Sequence, residues 1–331
     1  MADGTGVLVV GEVKDGRLSP TTGELLNVGR KLADGVGQSL GAVVMGADLG
    51  NASREAIAYG AGTVLVAEHA LLGEGHLDAH VVALEQVCRQ AKPNIVLIAR
   101  TEAGRELGPR LAFRLGVGLA QDAVALSVDD SSRQLRVTRP VYGGNAMAVV
   151  TMARTPQVVT VRPKAFEAAE KDESRRGEAA QIRVEIPSSA VKVRMVEKVV
   201  EQSTGNNLEG ARVVVAGGRG LGGAEPFRQL AGLAQLFGGA VGASRPACDA
   251  GWLEHSYQVG LTGKIVTPDL YIAVGVSGAS QHMAGCSGAK VIVAINNDPE
   301  ANIFKEARYG VVGDWKKILP AFTETVRELL S

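Results

Sequence analysis

The chain is poor in aromatic residues, poor in cysteine and without excess charge of either sign. Phenylalanine, tryptophan and tyrosine make up only 4% of the 331 residues, while glycine contributes 42. Alanine, valine, leucine and glycine dominate instead, a composition common in α/β proteins with tight strand-to-helix turns. Lysine plus arginine equals aspartate plus glutamate, 35 each, so the basic footprint of a nucleic-acid binder is excluded. Near-zero charge brings little self-repulsion and suits a subunit that works inside a complex. The three cysteines, Cys88, Cys248 and Cys286, are too few and too scattered for a disulfide framework or a metal site, and read as reduced intracellular thiols. No basic segment precedes an apolar stretch at the N-terminus, and no run of about 18 apolar residues occurs. The absence of an Arg-rich leader points to a bacterial or archaeal cytoplasm, or to a mature form. No Ser-His-Asp set or paired carboxylates appear, which argues against a stand-alone catalyst.

What is present is an ordinary soluble mixture, 46% apolar and 21% charged, in a length that suits two domains. Short β-branched runs alternate with helical spacing in the first half. Val7–Glu12, Gly41–Met45, Thr63–Ala67 and Pro93–Ala99 read as strands. Thr22–Asp34, Ala52–Tyr59, His76–Ala91 and Gly104–Leu115 read as helices. Continuous apolar strands separated by helices imply a parallel sheet covered on both faces. Four closer strands follow, at Asp122–Val128, Gln134–Val141, Ala146–Met152 and Gln157–Val161, with Gly143-Gly144-Asn145 as a turn, and read as an appended antiparallel meander. Ala165–Gln181 is charged without an apolar stripe and reads as a solvated linker in preference to an exposed helix. Alternation at Ile182, Val184 and Ile186 leads toward a second domain, with the boundary placed at 195/196. The segment from 185 to 205 is long enough for a hinge.

The second domain opens on a strand that runs into a glycine-rich turn. Gly218, Gly220 and Gly223 satisfy G-x-G-x-x-G before a helix over Pro226–Phe237. Such a turn lets the backbone approach a diphosphate, and free N–H groups at a helix start favour negative charge. Arg219 adds a planar cationic donor. Further polar tips follow later strands: Ser244-Arg245, the Val259-Gly260-Leu261-Thr262 turn, Ser277 through His282, Asn296 and Asp314. In a parallel sheet such tips converge on one crevice, a pattern that suits a large nucleotide ligand. The acid expected about 20 residues on for an NAD ribose is poorly placed, because Asp249 lies 26 beyond Gly223. The first turn of the N-terminal sheet, Glu12-Val-Lys-Asp-Gly-Arg, lacks a phosphate loop, so no nucleotide is expected there. Glu102-Ala-Gly-Arg-Glu reads as a helix cap or as a remnant of a nucleotide site. His69, His76 and His80 lack partners at metal-ligand spacing.

Leu270-Tyr-Ile-Ala-Val-Gly-Val-Ser-Gly-Ala-Ser-Gln-His-Met-Ala-Gly through Ile292-Val-Ala-Ile-Asn resembles the signature of electron-transfer flavoprotein alpha subunits. Gly-Gly-Arg-Gly, Gly-Ala-Ser-Arg and Val-Gly-Leu-Thr-Gly-Lys fit the same family in order and spacing, and Arg139-Pro-Val-Tyr-Gly-Gly-Asn-Ala and Val158-Val-Thr-Val-Arg-Pro agree more loosely. The resemblance implies an α/β protein of two parts: an N-terminal parallel-sheet domain like the adenine nucleotide alpha hydrolases, over 1–195, and a Rossmann-like FAD-binding domain over 196–331. It implies an electron carrier rather than an enzyme. Its partners would be a beta subunit, flavin dehydrogenases such as acyl-CoA dehydrogenases of fatty acid oxidation, and an acceptor such as a quinone oxidoreductase.

Residue by residue, the resemblance places Arg219, Ser244 and the Ser277-Gly278-Ala279-Ser280-Gln281 turn near the diphosphate and ribityl chain. Arg245 would lie against the isoalloxazine, Thr262 near its N5 and His282 at the pyrimidine carbonyl, with Val259, Gly260 and Leu261 lining the site. Asn296, Asp314 and Trp315 would lie at the adenosine end. Leu261 departs from the usual Gln and Trp315 from a usual aliphatic; at Leu261 a backbone contact would survive and a side-chain contact would be lost. A cation at Arg245 and a donor at His282 would stabilise negative charge on a reduced flavin. A bifurcating NADH-oxidising complex, an NAD-dependent oxidoreductase and a non-catalytic nucleotide-binding module with a deoxyhypusine-synthase-like or sirtuin-like fold stand as alternatives.

Overall fold

The computed structural model describes residues 6–73, 76–129, 131–132, 134–144, 146–193, 196–197 and 207–330. It divides into two compact units: Met1–Pro140 with Met147–Val199, and Val141–Ala146 with Val200–Ser331. The expected boundary at 195/196 touches Met195, and much of the expected hinge and Asn145 of the expected turn also lie outside the described residues.

In the first unit, β1 (Val7–Gly11) is buried along its whole length, as its unbroken apolar run requires. A hairpin of β2 (Val13–Lys14) and β3 (Arg17–Leu18) follows, turning through Asp15 and Gly16 at φ 52° and 70°. It occupies the turn that lacked a phosphate loop. The chain continues through α1 (Pro20–Val36), β4 (Leu40–Gly46), α2 (Ala52–Ala58), β5 (Thr63–Glu68), α3 (Leu77–Ala91), β6 (Ile95–Ala99) and α4 (Glu102–Leu115). Each expected strand and helix of this half is therefore present, with ends shifted by a few residues. Residues 102–106 form the first turn of α4 and do not themselves cap it; Thr101, just before them, is the cap, its hydroxyl accepting from Gly104 N–H at 3.2 Å.

The expected four-stranded meander does not form as such. After β7 (Leu119–Ala123), β8 (Ala125–Val128), β9 (Leu135–Val141) and β10 (Ala146–Val150) come β11 (Gln157–Val161) and β12 (Glu178–Gln181). The antiparallel sheet contains only β10, β9 and β8. The fourth expected meander strand, β11, is instead inserted parallel between β6 and β7 in the main sheet, whose order is β12-β5-β4-β1-β6-β11-β7. Burial explains the difference: β11 is buried at every position, including Gln157 and Thr160, whereas β8 and β10 show an exposed face. An inner parallel strand needs two covered faces, and an appended hairpin needs one.

Ala165–Gln181 contains no helix; its last four residues form β12, an edge strand beside β5. Beyond it, Val184 and Ile186 are buried but form no strand. There Gln86 takes the role of a ladder partner, donating to the Glu185 carbonyl at 2.7 Å and accepting from Glu185 N–H at 2.9 Å.

In the second unit, β13 (Val213–Gly217), α5 (Phe227–Leu236), β14 (Ala240–Ala243), α6 (Arg245–Asp249), β15 (Leu270–Val274), α7 (Ser280–Cys286), β16 (Val291–Asn296), α8 (Ile303–Glu306), β17 (Tyr309–Val312) and α9 (Trp315–Leu330) alternate. All five strands are parallel, in the order β14-β13-β15-β16-β17. Apolar clusters cover both faces, one around Tyr271, Ala273 and Ile292, the other around Ile272, Leu230 and Leu319. The winding reverses between β13 and β15. In open parallel sheets that reversal leaves a crevice at the carboxyl ends of the two strands, where ligands bind.

Candidate functional site

At the reversal β13 ends in Gly217-Gly218 and β15 in Val274-Gly275, and the two turns touch backbone to backbone. Gly218 N–H donates to Val274 C=O at 2.9 Å, and Gly220 N–H to Gly275 C=O at 3.0 Å. A Cβ on Gly218 would stand 2.2 Å from the Gly275 oxygen, and Gly275 itself has φ 64°. The first two glycines of the motif are thus required by the neighbouring strand end. A Cβ on Gly223 would meet open space, so its glycine answers to no contact in the fold.

A cavity of about 710 Å³ opens at this point, within the ~300–1,000 Å³ usual for ligand pockets. Its lining comes from the ends of four strands: Arg219 and Gly220 after β13, Ser244 to Pro246 after β14, Gly275 to Ser277 and Ala279 after β15, and Asn296 and Asp298 at β16. The turn Gln258–Thr262, the α7 residues Gln281 and His282, and Ala301 complete it. The structure therefore brings together Arg219, Ser244, Arg245, Val259, Gly260, Leu261, Thr262, Ser277, Ala279, Gln281, His282 and Asn296. Gly278 and Ser280 belong to the same turn without lining the cavity. Asp314 and Trp315 lie apart from the lining. Asp314 accepts from Lys316 N–H at 3.0 Å at the start of α9, and Trp315 packs into the apolar cluster under that helix. The start of α5, the expected diphosphate cradle, is likewise outside the lining, so of the glycine turn only Arg219 and Gly220 face the cavity.

Sequence reading missed Gln258, Gly275, Val276, Pro246, Asp298 and Ala301. Gln258 matters most. It is buried, its Nε2 donates to Thr262 Oγ1 at 2.9 Å, and its Oε1 meets His255 Nδ1 at 3.1 Å. Accepting from Gln258 leaves the Thr262 hydroxyl hydrogen free to donate elsewhere. The available signal was spacing: Gln258 stands four residues before Thr262, across a tight turn. Leu261 also differs from expectation. Its backbone N–H already donates to Gln281 C=O at 2.7 Å, and its side chain is 61% exposed. The surviving backbone contact is therefore not available from that N–H. Asn296 is buried and ties two turns, donating to Val276 C=O at 2.8 Å and accepting from Asp298 N–H at 3.0 Å.

Electrostatics divide the lining in two. Arg245 is exposed and its Nε lies 3.3 Å from Asp249. Arg219 is exposed and, among the described residues, has no ion-pair partner. His282 is the opposite case, 7% exposed, with burial pushing its pKa down to about 4 while the nearby Val259 carbonyl pulls the other way. It is a neutral imidazole at neutral pH. Its Nε2 meets the Tyr271 hydroxyl at 2.9 Å, and its Nδ1 is buried with no hydrogen-bond partner among the described residues. The cysteines are free and buried; burial raises Cys248 to about 11 and Cys286 to about 12, far from a reactive thiolate.

Comparison with known proteins decides between nucleotide ligands. Residues 7–187 match the electron transfer flavoprotein domain, and residues 207–287 match the electron transfer flavoprotein FAD-binding domain. The chain belongs to the electron-transfer flavoprotein alpha-subunit family. It is 40% identical over 330 residues to the electron transfer flavoprotein subunit alpha of Thermoanaerobacterium thermosaccharolyticum, covering 99% of this chain and 100% of that one. Identity to the subunit alpha of Bacillus subtilis is 42%, covering 98% of each. Identity to protein FixB of Azotobacter vinelandii is 39%, covering 96% of this chain and 90% of that protein.

FAD is the cofactor of this family's C-terminal domain, and the residues present fit it. A buried, unpartnered imidazole nitrogen awaits a polar edge, exposed arginines suit a diphosphate and a reducible ring, and the strand ends make a crevice at the switch point. Among the described residues no helix is long and apolar enough to cross a membrane, and no group of His, Cys, Asp and Glu is placed to hold a metal ion.

Proposed function

We propose that this chain is the flavin-holding subunit of a heterodimeric electron carrier, with FAD seated in the cavity at the ends of β13 to β16. The observation that carries the reading is the convergence of the motif residues on one crevice inside the FAD-binding domain. The flavin supplies the redox chemistry when bound; this chain's residues hold it and set the field around it. Arg219, Ser244 and Ser277 face the diphosphate and ribityl chain, and Arg245 lies against the reducible ring. Thr262, whose oxygen accepts from Gln258, would donate its hydroxyl hydrogen to the flavin ring. His282 donates toward the pyrimidine edge as a neutral group. Asn296 shapes the adenosine end through its two turns, with Asp314 and Trp315 beyond it.

A beta subunit completes the complex, flavin dehydrogenases such as acyl-CoA dehydrogenases deliver electrons, and a quinone oxidoreductase or similar acceptor removes them, in the cytoplasm. Co-purification with the beta subunit tests this. The expected product is yellow and carries one FAD per heterodimer. A colourless complex with tightly bound NAD overturns the reading, and two FAD per heterodimer replaces the simple carrier with a bifurcating complex.

A further inference from the structure

Tyr271 is the second residue of β15, fully buried and outside the cavity lining. Its hydroxyl lies 2.9 Å from His282 Nε2, with the two rings tilted at 57° and their centroids 6.1 Å apart. We propose that Tyr271 is a positioning residue that fixes the tautomer of His282, so that Nδ1 carries the hydrogen and donates to the bound cofactor.

A phenol has one hydrogen to donate, and two acceptors compete for it, His282 Nε2 and the Cys286 sulfur beside it. Imidazole nitrogen is a good acceptor and thiol sulfur a weak one. Cys286 moreover has its own outlet, since its Sγ lies 3.6 Å from the His282 carbonyl. The phenol hydrogen therefore goes to Nε2. A neutral imidazole carries a single N–H, and when Nε2 accepts, that N–H must be Nδ1. Nδ1 makes no well-formed hydrogen bond among the described residues, with the Val259 carbonyl as an acceptor close to the ring, and it belongs to a residue that lines the cavity. The opposite arrangement, Nε2–H to the phenol oxygen and phenol O–H to sulfur, exchanges the better acceptor for the worse. The Val259 carbonyl near the ring also favours an N–H over a lone pair.

The consequence is a donor of fixed polarity. The ligand edge facing His282 must offer an acceptor, such as a carbonyl oxygen, and a ligand with a donor there is rejected. The identity of that acceptor as a flavin carbonyl rests on the proposed function; the tautomer does not.

The test is nitrogen-15 NMR of histidine-labelled chain in the flavin-loaded heterodimer, with the His282 signals assigned by their loss in His282→Asn. The expected wild-type pattern is a pyrrole-like Nδ1 and a pyridine-like Nε2. Tyr271→Phe is expected to lose this single pattern and show both tautomers. A wild-type Nε2–H, a doubly protonated ring at neutral pH, or a pattern unchanged in Tyr271→Phe overturns the proposal. The wild-type measurement stands if Tyr271→Phe fails to fold. The same signals can be read on flavin-stripped protein, so a colourless preparation counts against the proposed function alone.

Discussion

At position 282 the sequence offers a histidine, and burial decides what kind of histidine it is. A pKa near 4 against 6.5 for the free side chain means that the unfolded chain binds a proton between those values and the folded chain does not. Stability of the second unit therefore falls as pH drops through that window and is fully present above it. Between pH 7 and pH 5 the loss is about 2 kcal/mol. Urea melts of wild type and His282→Asn at both values check this: the variant is expected to be less stable at pH 7 but to have the smaller pH slope. Arg245 is the complementary residue, charged but exposed, with Asp249 at 3.3 Å. A unit charge near 4 Å in a medium of effective dielectric about 20 interacts by roughly 4 kcal/mol, and exposure reduces this further. Arg245→Ala is expected to lower the flavin potential by tens of millivolts, about 60 mV per 1.4 kcal/mol for one electron. A redox titration with unchanged midpoints would show that Arg245 does not face the ring.

At the scale of elements, the turns after β13 and β15 are one device rather than two. Gly218 sits where any Cβ overlaps the Gly275 carbonyl, and both atoms are backbone, so no side-chain rotation relieves the overlap. Gly218→Ala is expected to cost about 3 kcal/mol or more and to lose bound flavin. Gly223→Ala, in open space, is expected to change stability by less than about 1 kcal/mol. Thermal melts and flavin content of the two variants separate a glycine needed for chain approach from one that is not. The motif was legible in the sequence, but its reason was not: the required glycines answer to Gly275, more than 50 residues further along the chain, which only strand pairing brings near. β11 teaches the same lesson. Its short spacing from β10 suggested another strand of the meander, whereas its full burial goes with its place between β6 and β7 in the parallel sheet.

On the scale of the molecule, one group of the first unit responds to pH in the opposite sense to His282 of the second. Glu24, on α1 of the first unit, is 9% exposed, and burial raises its pKa to about 7 although it accepts from Lys164 N–H at 2.6 Å. The folded state holds a proton that the unfolded state releases above pH 4.5, so this contribution is present at low pH and is lost as pH rises toward 7. The loss is on the order of 1–3 kcal/mol. Glu24→Gln keeps an acceptor for Lys164 and is expected to flatten that slope. Hydrogen exchange resolved by region checks it, since amides of the first unit should gain protection at pH 8 while those of the second do not change.

The sequence by itself determined the alternation of strand and helix, the family, the cofactor class and most of the cavity's lining. The alternation and the lining depend on local pattern, namely apolar period, glycine before a helix and polar tips after strands, while the family and the cofactor class follow from the resemblance of the 270–296 signature to the electron-transfer flavoproteins. Tertiary structure decided the rest. Gln258 and Tyr271 act through hydrogen bonds to cavity residues, Thr262 and His282, that composition does not mark. Asp314 and Trp315 share the motif pattern but end on a strand at the sheet's edge, away from the reversal. His282 became a neutral donor because burial removes the water that would solvate its charge, and a sequence does not state burial.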